Sequence, residues 1–151
     1  MSNGTPSGQT MQILLIEDNP GDVRLVAEAI RQSKMLHELH VAEDGQEGMA
    51  FLRREGAYSA APEPDIILLD LNLPNLDGRE VLAEVKTSSE LKRIPVVILT
   101  SSDAEADIIK AYDLYCNAYM VKPFTASGFL DVVRAIEWYW LNLVKLPPKN
   151  V

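Results

Sequence analysis

Short uninterrupted apolar runs alternate along this chain with longer stretches in which apolar residues recur every three or four positions. The clearest run is Ile66-Ile67-Leu68-Leu69, set between Pro64-Asp65 and a turn holding Asn72, Pro74 and Asp77-Gly78. Four apolar residues without polar alternation are too few for a helix and predict a central strand buried on both faces, as in parallel sheets. Val96 to Leu99, introduced by Pro95, repeats the pattern, and Gln12 to Ile16, Leu39 to Val41 and Ala118 to Val121 give three more strands. Between them, Val23, Val26, Ala27 and Ile30 stripe a helix opened by Asn19-Pro20, a capping residue before a first-turn proline, and ended at Ser33 to Met35. A second helix runs from Gly45 to near Arg54, anchored by Met49 and Leu52 and closed by Gly56. Val81, Leu82 and Val85 mark a third, and Ile108, Ile109 and Tyr112 a fourth. The pairs Asp77/Glu80 and Ser102/Glu105 have capping-box spacing at their starts. Phe129, Val132, Val133, Ile136 and Trp140 stripe a long last helix that ends before Pro147-Pro148.

Five strands alternating with five helices predict an α/β fold, a five-stranded parallel sheet with helices on both faces. In such doubly wound sheets, ligands bind beyond the carboxyl ends of the strands, where the strand order reverses. The residues at those positions are polar: Glu17 and Asp18 after the first strand, Asp70 and Asn72 after the third, Thr100 and Ser101 after the fourth, Lys122 after the fifth.

The chain of 151 residues is read as one domain over 12–143, with a disordered Ser/Gly/Thr-rich leader over 1–11 and a tail over 144–151. A formal net charge of −8 disfavours non-specific binding to nucleic acid or anionic lipid. Cys116 is the sole cysteine, which rules out an internal disulfide and a CxxC site. No apolar stretch approaches a membrane span, and the leader lacks the apolar core of a secretory signal. The expected compartment is the cytoplasm.

Carboxylates ending neighbouring strands converge, because strands lie about 4.8 Å apart. Gathered acids repel and raise one another's pKa unless a cation intervenes. Mg²⁺ suits them, preferring oxygen ligands and keeping positions for water and phosphate. With Glu17, Asp18 and Asp70 ionised, Mg²⁺ and Lys122 bring the site to neutrality. A phosphoryl group reaching Asp70 would then meet a metal, an ammonium and the Thr100 hydroxyl, the equipment for phosphoryl transfer to a carboxylate nucleophile. Singly, each residue also has a plain reading. Asp70 is a turn cap, Glu17 and Asp18 favour a helix N-terminus, Thr100 is a strand end, Lys122 is a solvated lysine and Tyr119 packs on the sheet. His37 and His40 read as surface or packing residues, and Cys116 as a core filler.

The ordered set of Glu17-Asp18, Asp70, Thr100 and Lys122-Pro123 resembles the receiver domain of two-component response regulators, from Ile13 to about Leu143. Asn72-Leu73-Pro74, the segment Asp77 to Leu82 and the tail from Trp140 to Pro147 resemble the stand-alone regulators that partner bacterial phytochrome histidine kinases. The resemblance implies a flavodoxin-like strand order 2-1-3-4-5. Asp70 would accept the phosphoryl group from a kinase phosphohistidine. Asp18 and Asp70 would hold Mg²⁺ by side chains, Glu17 directly or through water, and Asn72 by its backbone carbonyl. Lys122, before a cis Lys122-Pro123 bond, would pair with the phosphoryl oxygens, and Thr100 and Tyr119 would form the switch. Glu17 stands where the family often has Asp, which bears on the metal geometry. With no output module expected after the last helix, signalling would pass to a downstream protein or phosphotransfer partner.

Trp138, Tyr139 and Trp140 span too wide an arc to bury in one groove. They suggest a homodimer through the fourth helix, fifth strand and last helix, with Ile109, Tyr112, Trp138 and Tyr139 at its interface. The rival from the enzyme class is a phosphatase or phosphotransferase with an aspartyl-phosphate intermediate. It needs a substrate pocket and a cap insertion, and every loop here is short. A receiver that only binds and is never phosphorylated is a third reading, against which the complete residue set speaks.

Overall fold

The computed structural model describes residues 10–33 and 36–138. The leader before residue 10, Tyr139, Trp140 and the tail lie outside the described residues, as does the side chain of Trp138. In order, the elements are β1 (Met11–Ile16), α1 (Pro20–Arg31), β2 (His37–Ala42), α2 (Gly45–Arg53), β3 (Ile66–Leu69), α3 (Gly78–Thr87), β4 (Val96–Thr100), α4 (Glu105–Asp113), β5 (Ala118–Val121) and α5 (Ala126–Trp138). The five strands form one parallel sheet in the order β2-β1-β3-β4-β5.

The apolar runs explain the layering. Side chains alternate across a strand, and the two halves of each run enter different cores. Leu14, Ile16, Ile67, Leu69, Val96 and Ile98 join Met49, Leu52, Val81, Leu82 and Ala111, beneath α2, α3 and α4. Ile13, Leu15, Ile66, Leu68, Val97 and Leu99 join Val26, Ile30, Phe129 and Val133, beneath α1 and α5. Cys116 is a filler in the first of these.

Several local expectations need correction. Met11 pairs with His37 in β1 and is buried, so it belongs to the sheet and not to the leader. His37 and His40 lie within β2, which is longer than its apolar triplet suggested. Helix α2 is closed by Arg54 in the left-handed region, at φ 56°, before Gly56 is reached. Asp77 caps α3 through the Arg79 N–H, not that of Glu80. Ser102 does not cap α4, whose N-cap is Ala104. The Ser102 hydroxyl donates to Asp107 Oδ2 at 2.6 Å instead.

Candidate functional site

Register builds the site. Ile16 pairs with Leu69, and the Asp70 N–H donates to the Ile16 carbonyl at 3.1 Å, so Glu17 and Asp70 leave adjacent strands side by side. The Lys122 N–H donates to the Thr100 carbonyl at 2.7 Å, which sets the lysine beyond the end of β4. Two helix starts press on the loop that carries Asp70. A Cβ on Gly78 would stand 2.0 Å from the Asp70 carbonyl oxygen, and one on Gly45 would stand 1.9 Å from that of Leu76. Only glycine permits such close backbone approach.

Carboxylate oxygens of Glu17, Asp18 and Asp70 converge to within 4.8 Å of one another. Glu17 is 2% exposed and Asp70 6%, whereas Asp18 faces solvent. Lys122 Nζ donates to Glu17 Oε1 at 2.6 Å and to Asp70 Oδ2 at 3.2 Å. Asp70 Oδ1 accepts from the Asn72 N–H at 3.1 Å, and Glu17 Oε2 from the Asn19 N–H at 3.2 Å. Burial, reinforced by the charge of Asp70 and only partly opposed by Lys122, pushes the Glu17 carboxyl up to about 7. Burial works against the Lys122 charge too, but the hydrogen bonds it donates to Asp22 and Glu17 outweigh it and hold the ammonium above its usual range.

The sequence reading missed Asp22. Its Oδ2 lies 2.7 Å from Lys122 Nζ, a fourth acid at the site. Its place in the first turn of α1, four residues after Asp18, was the available signal, but first-turn acids usually serve only the helix dipole. The expected neutrality is therefore corrected, since Mg²⁺ and Lys122 together would leave one negative charge. Two unit charges 4 Å apart near a protein surface interact by about 4 kcal/mol, so one ammonium cannot balance four acids. An all-oxygen donor set with excess negative charge fits a hard divalent cation.

Thr100 is fully buried, and its Oγ1 accepts from the Ser102 N–H at 3.5 Å. Tyr119 is not among the acids; its hydroxyl donates to the Ser102 carbonyl at 2.9 Å. Arg79 pairs bidentately with Asp107, Nε to Oδ1 at 3.2 Å and an outer nitrogen to Oδ2 at 2.9 Å. The Lys122-Pro123 peptide is cis. Ile109 and Tyr112 are 53% and 48% exposed on α4.

Residues 13–134 match the response regulator receiver domain family. The chain belongs to that family. This receiver domain is 50% identical over 135 residues to response regulator Rcp1 of Synechocystis sp., covering 89% of this chain and 92% of that protein. It is similar to the solved Mn(2+)-bound form of Rcp1 (TM-score 0.81, 48% identity, 91% of this chain and 99% of that one). It is also similar to the phosphorylated cyanobacterial phytochrome response regulator RcpA (TM-score 0.83, 49% identity, 93% of this chain and 100% of that one). No helix among the described residues is long and apolar enough to cross a membrane.

Proposed function

We propose that this receiver takes a phosphoryl group onto Asp70 from the phosphohistidine of a sensor histidine kinase of the phytochrome type. The observation that carries the reading is a buried Asp70 bonded by Lys122 and converging with Glu17 and Asp18. An Asp70 oxygen forms a bond to phosphorus as the P–N bond to the donor imidazole breaks. The electron pair leaves on the imidazole nitrogen, and a solvent proton completes the leaving group. Asp18 and Asp70 side chains, Glu17 and the Asn72 carbonyl are the groups to hold Mg²⁺, which when bound offsets charge on the acids and on the transferring oxygens. The Mn(2+)-bound form of Rcp1 and the phosphorylated form of RcpA support this reading. Lys122 pairs with the phosphoryl oxygens, Thr100 turns its hydroxyl to them, and Tyr119 follows through Ser102.

The test is acetyl phosphate with Mg²⁺, followed by intact mass. One added phosphoryl group, absent without the metal and absent in Asp70→Asn, is the expected result. A persistent adduct in Asp70→Asn, or steady turnover of phosphate esters, would overturn it. The output surface is the α4–β5 face, which together with α5 also carries the homodimer, with the exposed Ile109 and Tyr112 at the contact. Light scattering over a concentration series should give a dimer, and monomer throughout, phosphorylated or not, removes that part.

A further inference from the structure

An ammonium has three hydrogens to donate, and three carboxylates stand within reach of Lys122: Glu17 at 2.6 Å, Asp22 at 2.7 Å and Asp70 at 3.2 Å. Glu17 and Asp70 belong to the converging acid set; Asp22 does not. The reaction proposed above alters both members of that set. Glu17 and Asp70 would share their oxygens with a cation, and Asp70, once phosphorylated, becomes an acyl phosphate whose carboxyl no longer carries its own charge. Asp22 alone of the three keeps its chemistry throughout.

We propose that Asp22 is the positioning residue for Lys122, holding the ammonium beside Asp70 while its other two partners are drawn into metal binding and phosphoryl transfer. The inference rests on the reading of Asp70 as phosphoryl acceptor. Lysine is a compact charge on a flexible four-carbon stem and needs an anchor to stay in one place. Asp22 supplies one from a helix backbone. It sits in the first turn of α1, and its N–H donates to the Asn19 side chain at 3.0 Å. With a side chain 29% exposed, against 2% for Glu17 and 8% for Asp70, it is also the carboxylate whose charge is least costly to maintain. A competitor that merely draws Lys122 away from Asp70 would have the opposite signature, since its removal would speed phosphorylation.

Rates of Asp70 phosphorylation by acetyl phosphate at saturating Mg²⁺ decide between these. Asp22→Ala should lower the maximal rate about tenfold, the size expected for losing a hydrogen bond between charged groups. The donor concentration at half-maximal rate should change little. Asp22→Asn, which keeps an acceptor oxygen, should recover much of the loss. In a Lys122→Ala background, Asp22→Ala should cost nothing further, which marks action through the lysine. A second measurement does not depend on phosphorylation. The Lys122 ammonium signal in a ¹⁵N NMR spectrum with Mg²⁺ should be visible in the parent protein and exchange-broadened in Asp22→Ala. A wild-type or faster rate in Asp22→Ala, equal losses in both backgrounds, or an unchanged ammonium signal each overturns the proposal. Labelling of the parent protein and its loss in Asp70→Asn report separately on the acceptor reading.

Discussion

The central strands and the α4–β5 edge are held by different forces. β3 and β4 are buried at every position, and β1 at all but Gln12. α4 has one buried residue, Ala111, and β5 has none. What α4 lacks in apolar burial is supplied by polar contacts, the Arg79–Asp107 pair, the Ser102 hydroxyl on Asp107 and the Tyr119 hydroxyl on Ser102. Apolar packing is lost in large steps when disturbed, whereas surface hydrogen bonds are exchanged for water at small net cost. The acids therefore stand on the part of the molecule least able to move. The α4–β5 edge is fastened by bonds that can be remade, and Thr100 and Ser102 join the two.

The largest test of this contrast is stability. Leu69→Ala, in the fully buried end of β3, should cost about 2–5 kcal/mol in denaturant unfolding. Ile109→Ala, half exposed on α4, should stay within about 0.5 kcal/mol. Comparable losses at the two sites would mean that α4 is packed as firmly as the sheet.

The same contrast decides what was legible in the sequence. Ile66–Leu69 and Val96–Leu99 announce their burial by composition alone, and the sheet rule then puts Glu17, Asp70, Thr100 and Lys122 at one end of it. The order 2-1-3-4-5 and the particular roles came from resemblance. The polar contacts left no such trace. Arg79 and Asp107 are 28 residues apart, and Asp22 on α1 meets Lys122 just past β5. Ser102 had the spacing of a cap and serves Asp107 instead, because α4 begins two residues later than a cap there would require. Local patterns report what a residue does for its own element, and these residues act for another.

A smaller effect should appear in hydrogen exchange. Asp107→Ala removes the acceptor that Arg79 and Ser102 share and leaves Arg79 paired with Asp77 on its own helix start, so amides of Glu105–Asp113 should exchange faster. Those of β1, β3 and β4 should hold their protection, since local openings need not involve the core. Equal acceleration across the sheet would break the distinction between the two regions.

The smallest effect is a titration. Hydrogen bonds from Arg79 and then Ser102 lower the Asp107 carboxyl from 3.8 to about 2. A depressed acid stabilises the folded state above its unfolded pKa and loses that contribution as pH falls through the folded one. The fastening of α4 should therefore be complete above about pH 4 and weaken between there and about 2. At pH 3 the ¹³C carboxyl shift of Asp107 should still be that of an ionised acid, where an unpaired aspartate is already mostly protonated. Arg79→Ala should return it toward ordinary behaviour, and a parent protein in which Asp107 already titrates as an unpaired acid would mean that the α3–α4 pair does not hold this edge in solution.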